Sequence, residues 1–340
     1  MFPLSLIYGL IVYLRNLLFD KQVFKSNEFD VKTILVGNLS AGGTGKTPHI
    51  EYLIRLLKSE NKIATLSRGY GRKTHGFLTA SKTSTASEIG DEPLQFSTKF
   101  SDISVHVGVK RVDAVIEIMS EENPPEVILL DDAFQHRAIK AGLNILLTDY
   151  SSPFYKDYML PTGYLREFPK GKKRAEIIIV TKCPVDISEE KKEEIQSKIK
   201  PNSSQELYFS RIKYGNISPL FSHNKSIKIS DLKNVNVLLL TGIANPNPLM
   251  NYLKTNRVSP KHLKFTDHHN FTKKDIQKII FTFENIQGSD NIILTTEKDA
   301  MRLKSISELK HLPIYFQEIE IEIIGNQEKF NNRINQYIKK

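Results

Sequence analysis

The sequence predicts an α/β protein of two domains, in which helices cover a mostly parallel sheet. Short apolar runs rich in β-branched residues alternate with stretches of helical periodicity, as in βαβ units. The runs are continuously apolar, which is typical of strands buried on both faces. A chain of 340 residues suits about two domains. In the first half we predict strands at Thr33–Val36, Ile63–Leu66, Ile103–Val107, Val127–Leu130, Leu143–Leu147 and Ile177–Val180.

The pattern changes near residue 207, where a β-rich segment interrupts the alternation. Gly215-Asn216 is a turn signal inside this segment and predicts a hairpin or ribbon. Strand and helix patterns then resume as far as the C-terminus. We therefore predict four units, namely a helix over 1–25, a larger α/β domain over 26–206, a β-ribbon linker over 207–230, and a smaller α/β domain over 231–340.

The composition indicates an anionic partner. The formal net charge is +10, which attracts nucleic acid, anionic lipid or a phosphorylated substrate. Nucleic acid is the weakest of these, because the chain has no tryptophan and no familiar nucleic-acid-binding signature. The single cysteine, Cys183, excludes an intramolecular disulfide framework and suits a reducing compartment.

The N-terminal residues 1–19 predict an apolar helix. They carry no charge before Arg15, and this uncharged run is short for a membrane span. A narrow polar stripe at helical spacing consists of Ser5, Gly9, Tyr13, Asn16 and Asp20. Such a helix fits the membrane interface, with the following cations toward lipid headgroups. The alternative is a helix packed on the protein's own core.

A glycine-rich segment after the first predicted strand has the pattern of a phosphate-binding P-loop. The strand Thr33–Val36 leads into Gly-Gly-Thr-Gly-Lys-Thr and then a helical pattern, which is the context that a P-loop requires. Lys46 would reach the β- and γ-phosphates, and the Thr47 hydroxyl would bind Mg²⁺. Ser40 departs from the usual pattern, which has glycine there. The predicted ATP-binding residues are Gly42, Gly43, Thr44, Gly45, Lys46 and Thr47.

Two adjacent aspartates follow the buried strand Val127–Leu130. A P-loop protein uses a carboxylate at the end of a neighbouring strand to hold Mg²⁺. Asp131 and Asp132 are both suited to this, and the sequence does not choose between them. An ordinary strand-end cap is the alternative for either residue.

The nucleotide predicted from these motifs is ATP. A guanine-reading turn requires an aspartate as its fourth residue, but Thr181-Lys182-Cys183-Pro184 has proline there. Switch ATPases of the partition type carry a signature lysine before the paired glycines, where this chain has Ala41. A nucleotide-switched, membrane-associated ATPase without a lipid acceptor is therefore disfavoured but stays open as an alternative.

Several short motifs together, and in this order, resemble the tetraacyldisaccharide 4′-kinase family, the lipid A 4′-kinases of Gram-negative bacteria. Taken singly, each could be a turn or a surface loop. Ala133 is a small departure, because the family often has glycine there. The matching segments are Gly42–Pro48, Ser67–Gly71, Gly90–Pro93, Asp131–His136, Leu165–Glu167, Thr241–Pro246, Asp267–His268 and Thr296–Ala300.

The resemblance implies an activity and a location. Members transfer the γ-phosphate of ATP to the 4′-hydroxyl of tetraacyldisaccharide 1-phosphate, the lipid A precursor. They are peripheral enzymes on the cytoplasmic face of the bacterial inner membrane, with a P-loop domain and a smaller α/β domain joined by a β-ribbon. A P-loop kinase acting on another lipid or sugar is the nearest rival.

The resemblance also implies residue roles. Asp91 corresponds to the base that takes the sugar hydroxyl proton, and His268 would orient it or share the proton. His269 is the competing assignment. Glu92 would join Thr47 and either Asp131 or Asp132 at Mg²⁺. From their chemistry, Arg68, Arg72 and Arg111 are candidates to bind the lipid phosphate or the transferring phosphate, with structural salt bridges as the alternative.

Overall fold

The computed structural model describes residues 2–221, 225–267 and 269–340, which contain ten α-helices and twelve β-strands. The helices are α1 (Phe2–Asp20), α2 (Lys46–Leu57), α3 (Ala86–Ile89), α4 (Asp91–Lys99), α5 (Arg111–Met119), α6 (Glu189–Ile199), α7 (Asn247–Thr255), α8 (Lys273–Glu284), α9 (Glu297–Leu303) and α10 (Gln327–Lys339). The strands are β1 (Lys32–Asn38), β2 (Ile63–Ser67), β3 (Leu78–Thr79), β4 (Ser104–Val107), β5 (Val127–Asp131), β6 (Leu143–Asp149), β7 (Ile177–Thr181), β8 (Glu206–Pro219), β9 (Asn236–Thr241), β10 (Lys261–Lys264), β11 (Asn291–Thr296) and β12 (Ile314–Ile323).

The described strands form one sheet in the order β10-β9-β11-β12-β8-β7-β6-β1-β5-β2-β4-β3. Every pairing is parallel except β3 with β4 and β8 with β12. Helices cover both faces, and separate apolar clusters fill the two sides of the first half. The predicted α/β fold with a mostly parallel sheet is therefore confirmed.

Strand β1 lies between β5 and β6, and this placement creates the site. Its side chains alternate between the two apolar clusters, with Leu35 on one face and Ile34 and Val36 on the other. In the parallel pairing with β5, Val36 lies opposite Asp131. The loop after β1 and the acidic end of β5 therefore emerge at the same edge of the sheet.

The connection between the halves is a pair of long antiparallel strands, β8 and β12, and β8 also pairs in parallel with β7. The turn predicted at Gly215-Asn216 is wrong, because β8 continues through it. The pairing is irregular between Gln317 and Ile319, where a bulge absorbs the extra residue of β8. The Gln317 side-chain amide donates to the Gly215 carbonyl at 2.9 Å, which satisfies a group that the bulge leaves unpaired.

The last helix, α10, packs on the first half of the sheet. Phe330 and Ile334 belong to the apolar cluster that also contains Ile34. The Tyr337 hydroxyl donates to the Thr33 carbonyl on β1 at 3.1 Å. The division into domains stays a prediction, but these contacts place the end of the predicted 231–340 unit on the 26–206 unit.

Helix α1 lies on the outside of the first half. Of its residues, Ser5 and Gly9 are buried, whereas most of the large apolar side chains are exposed. By length and composition it could cross a membrane, with a mean hydropathy of 1.6 over a window that is 11% buried. One side of the helix packs on the protein's own core through Tyr8 and Val12, while its other side is exposed, so both the interfacial prediction and its alternative stay open.

Candidate active site

The predicted P-loop connects β1 to α2. Gly45 precedes the helix with φ of 90°, a left-handed conformation that side chains rarely adopt. An added Cβ at Gly42 or Gly43 would meet no atom within 4 Å, so this backbone is open to a ligand. The free amides at the start of α2 and the helix dipole favour an anion there.

The P-loop is held in place by the end of β7. The Thr181 hydroxyl donates to the Thr44 carbonyl at 2.8 Å, and the Lys182 ammonium donates to the Gly43 carbonyl. Lys182 also pairs with Asp149 at 2.8 Å. The Thr-Lys pair that lacks a base-reading aspartate therefore supports the phosphate loop.

His49, one turn into α2, supports the same loop from inside. Its Nδ1 lies 2.7 Å from the Gly45 carbonyl, and its Nε2 lies 3.0 Å from the Ser210 hydroxyl on β8. A carbonyl can only accept, so Nδ1 carries the proton and Nε2 accepts from Ser210. Burial lowers the pKa of His49 to about 4, which keeps the ring neutral. The phosphate loop is thus tied to the strand that joins the two halves.

We expect Ser210→Ala to raise the KM for ATP about fivefold with little change in kcat, because it removes one buried hydrogen bond of about 1 kcal/mol. Steady-state kinetics at varied ATP check this. Ser197→Ala, which removes an exposed hydroxyl bonded to the Glu194 carbonyl, is the matched control. An unchanged KM for ATP in Ser210→Ala would contradict the supporting role of His49.

Asp132 faces the P-loop lysine. Lys46 Nζ lies 3.7 Å from Asp132 Oδ1 and 3.4 Å from the Asn38 side-chain oxygen. The Arg166 guanidinium holds Asp132 through two hydrogen bonds, of 2.8 and 3.2 Å. Burial opposes ionisation, but Lys46 and then Arg166 lower the pKa of Asp132 below its ordinary value. The sequence marked Arg166 only within the Leu-Arg-Glu segment.

Asp131 differs from Asp132 in its hydrogen bonds and in the direction of its pKa shift. It is buried, and its Oδ2 accepts from the Ser67 hydroxyl at 3.3 Å, while its Oδ1 has no hydrogen-bond donor within the described residues. Burial raises its pKa to about 7, and Asp132 and Glu92 add to that rise. A buried carboxylate oxygen without a donor suits a cation.

The Gly90–Pro93 segment packs against the Ser67–Gly71 segment. A Cβ added at Gly90 would lie 3.1 Å from the Gly69 Cα, so only glycine permits this approach. Asp91 and Glu92 do not lie in a turn or a surface loop, the reading that the motif allows when it is taken singly, since Asp91 begins α4. Proline is tolerated in the first helical turn, where its missing amide would have no partner.

Asp91 forms an ion pair with an arginine from the second half. Arg302 Nε and Nη2 donate to Asp91 Oδ2 at 2.8 and 2.5 Å. Arg302 Nη1 also donates to Asp299 at 3.0 Å, and Asp299 accepts from the Gly242 amide at 2.9 Å. Two motifs of the second half, around Gly242 and Asp299, therefore converge on Asp91. The sequence missed Arg302, whose one signal was its place two residues beyond Thr296–Ala300.

The rest of the α4–α9 contact is a series of ion pairs. Glu92 pairs with Lys298 at 3.1 Å near the start of α4. At its end, Lys99 bridges Glu297 of α9 at 2.6 Å and Glu51 of the P-loop helix at 2.7 Å. These pairs join the P-loop helix to both halves.

Of the three predicted arginines, Arg68 and Arg72 lie close enough to Arg111 to lower its pKa. Arg111 is buried and donates to the Gly108 carbonyl, and burial lowers its pKa to about 10 while Asp131 and Asp132 oppose that shift. Arg72 donates to the carbonyl of Gly76 within its own loop at 2.6 Å, and Arg68 is exposed. The structure thus brings a positive group beside the two aspartates.

His268 lies outside the described residues. Its competitor, His269, has both ring nitrogens engaged within the second half. Nε2 lies 3.0 Å from Asp275 Oδ2, and Nδ1 lies 3.2 Å from the Thr266 hydroxyl. The ring also packs against Phe265 at 4.7 Å. His269 is therefore committed to local contacts.

Comparison with known proteins decides the family. Residues 1–339 match the family model described as Tetraacyldisaccharide-1-P 4′-kinase. The chain belongs to this family. It is 46% identical to the tetraacyldisaccharide 4′-kinase of Flavobacterium johnsoniae over all of this chain and 96% of that one. It is also 46% identical to the enzyme of the same name from Bacteroides thetaiotaomicron, over all of this chain and 93% of that one.

A solved structure of the family shares the fold. LpxK from Aquifex aeolicus, crystallised in complex with ATP, superposes with a TM-score of 0.78 at 28% identity, covering 99% of this chain and 98% of that one. The predicted membership and kinase class are confirmed, and ATP as the nucleotide is supported. The alternative of a switch ATPase without a lipid acceptor is not favoured.

Proposed function

We propose that this protein transfers the γ-phosphate of ATP to the 4′-hydroxyl of tetraacyldisaccharide 1-phosphate in lipid A biosynthesis. The observation that supports the proposal is that the P-loop and the Asp131-Asp132 pair lie at one edge of the sheet, in a chain that matches the family over 1–339. Glu92, which follows Asp91, is close enough to Asp131 to raise its pKa. A bare ATPase does not need a buried carboxylate beyond the phosphate and metal groups. A kinase needs one near the acceptor hydroxyl.

The ATP phosphates would lie on the amides of residues 42–47, with Lys46 on the transferred group. Mg²⁺ would be held by the Thr47 hydroxyl and by Asp131 or Asp132, with Glu92 near enough to affect the Asp131 charge. When bound, it would neutralise phosphate charge. Within the described residues no cluster of three His, Cys, Asp or Glu can hold a metal ion. This suits Mg²⁺, which usually takes one or two carboxylates and completes its shell with phosphate and water.

Asp91 would accept the proton of the 4′-hydroxyl as that oxygen bonds to the γ-phosphorus and ADP leaves. Arg302, one of its partners, donates to Asp91 Oδ2 and stabilises the negative charge of the carboxylate. His268 would orient Asp91 or share the proton. Arg111, with Arg68 and Arg72, would stabilise charge on the transferring phosphate or bind the lipid 1-phosphate.

The protein would work as a peripheral enzyme on the cytoplasmic face of the inner membrane. Helix α1 exposes its apolar side chains, including Leu6 and Leu10 at 62% and 57% exposure. A helix of this kind binds the membrane interface through buried apolar area. The net charge of +10 adds attraction to anionic lipid.

The test is phosphoryl transfer from labelled ATP, with Mg²⁺, by detergent-solubilised protein. One reaction contains the tetraacyldisaccharide 1-phosphate and a parallel reaction omits it. We expect label on the lipid in the first reaction and little ATP hydrolysis in the second. Equal hydrolysis in both, with no labelled lipid, would contradict the proposed acceptor.

A further inference from the structure

The segment 158–168, which we call the bridging loop, touches α1 on one side. The Ser5 hydroxyl donates to Thr162 Oγ1 at 2.7 Å and in turn accepts from the Thr162 amide at 3.0 Å. The Tyr8 hydroxyl donates to the Arg166 carbonyl at 3.1 Å. Part of the polar stripe of α1 is therefore the surface that binds this loop.

On its other side the bridging loop holds the phosphate-binding loop. The Ala41 amide donates to the Tyr164 carbonyl at 2.6 Å, and the Arg166 amide donates to the Leu39 carbonyl at 2.8 Å. Arg166 also carries the guanidinium that holds Asp132. A displacement of α1 would thus reach the ATP site through one short segment.

The bridging loop also presents aromatic side chains to solvent. Tyr158 and Tyr164 are 64% and 63% exposed, and Phe168 is 41% exposed. The Phe168 ring lies beside α1, since a Cβ added at Gly9 would be 3.0 Å from it. Exposed tyrosine and phenylalanine beside an apolar helix suit the bilayer interface, where an amphipathic ring spans apolar and wet layers.

Basic residues flank this surface. Lys170 and Lys173 are exposed just after the bridging loop, and Arg15, Lys21 and Lys25 are exposed at and beyond the end of α1. A second copy of the chain on this face would bring like charges together. A bilayer with anionic headgroups complements them, so it is the occupant that the surface fits.

We propose that the bridging loop is a second membrane-contacting element, and that a bilayer against α1 and this loop strengthens ATP binding by ordering the phosphate-binding loop. The proposal rests on the membrane location given under the proposed function. Its physical basis is population shift, because a surface that binds one arrangement of the bridging loop favours the phosphate-loop arrangement bonded to it.

The test measures the Kd of ATP for the full chain, without the acceptor lipid, in the presence and absence of vesicles. Vesicles of phosphatidylethanolamine with phosphatidylglycerol should lower the Kd several-fold, and phosphatidylcholine vesicles should do so less. The double variant Tyr158→Ser/Tyr164→Ser should bind the anionic vesicles about tenfold more weakly, since it loses two interfacial rings. Phe281→Ser, at an exposed ring on α8, is the matched control and should bind as the unmodified chain does.

A second variant separates membrane docking from its effect on ATP. Ser5→Ala/Tyr8→Phe removes the hydroxyls that hold the bridging loop and leaves the exposed apolar side chains of α1 in place. It should bind vesicles as before, while the ratio of ATP Kd values without and with vesicles falls toward one. Using the ratio cancels any direct effect of the substitution on ATP binding.

Three results would overturn the proposal: an ATP Kd that vesicles do not change, normal vesicle binding by the tyrosine variant, or sedimentation showing a dimer that ignores vesicles. Transfer of label to the lipid in detergent is scored separately. If label is transferred normally but vesicles do not change the Kd of ATP, this inference alone is overturned. If vesicles change the Kd of ATP but no label reaches the lipid, the proposed acceptor alone is overturned.

Discussion

Replacing Asp91 with asparagine is expected to lower kcat about 10³-fold and to leave the KM for ATP near its original value. The amide keeps the size of the side chain and an oxygen that can accept from Arg302. It cannot take the proton of the acceptor hydroxyl. Asp91 lies outside the phosphate-binding loop, at the start of α4, so ATP binding should survive. Kinetics with the acceptor lipid at varied ATP check both constants.

Two controls isolate the chemistry from the fold. Asp113→Asn removes an exposed carboxylate that also lies in the first turn of its helix, 3.8 Å from Lys110, and should leave kcat unchanged. A melting temperature of Asp91→Asn close to that of the unmodified chain excludes unfolding as the cause. A kcat within about threefold of the original value would show that Asp91 is not the base.

The parts of the site that could be predicted are those encoded by contiguous residues. The strand before Gly42 and the helix after Lys46 are both local patterns, and the four apolar residues before Asp131 mark a buried strand. Parallel neighbouring strands place their carboxyl ends at one edge. Sequence alone therefore predicted that the P-loop and the aspartates lie together, which the pairing of Val36 with Asp131 bears out geometrically.

The parts that could not be predicted depend on contacts between distant residues. Arg302 meets Asp91 across 211 positions, and no local pattern distinguishes it from other basic residues of the second half. Arg166 reaches Asp132 from the Leu165–Glu167 segment, to which no role in the site was assigned from the sequence. The sequence did not predict that α4 begins at Asp91, because Gly90 and Pro93 also signal a turn. Tertiary packing of Gly90 against Gly69 decides between a turn and a helix.

The same distant contacts explain the error at Gly215. A glycine next to asparagine favours a turn in an isolated segment. Here β7 on one side and β12 on the other supply partners along β8, so the strand continues. A bulge then accommodates the extra residue at much lower cost than breaking the pairing that joins the two halves.

Lys46→Ala is expected to lower kcat/KM for ATP by about 10³-fold, because it removes a fixed positive charge at the transferring phosphate. The loss of kcat/KM should exceed the loss caused by replacing any nearby lysine with a structural role by alanine. Lys46 Nζ is only loosely held, at 3.4 Å from Asn38 and 3.7 Å from Asp132, so it can move to a ligand without breaking a short ion pair. Without Lys46, Arg166 remains on Asp132 and the loop keeps its support from Thr181.

Lys58→Ala is the matched control, since Lys58 directly follows the same helix and its ammonium pairs with Asp102 at 2.9 Å on the surface. It should leave kcat/KM unchanged. The effect of the Lys46 charge can also be separated from the effect of its position. Lys46→Arg keeps the positive charge but carries it on a bulkier, planar guanidinium. If charge at any nearby position sufficed, Lys46→Arg would restore most of the activity. We expect it to restore little, because the γ-phosphate must be met at one position in the transition state.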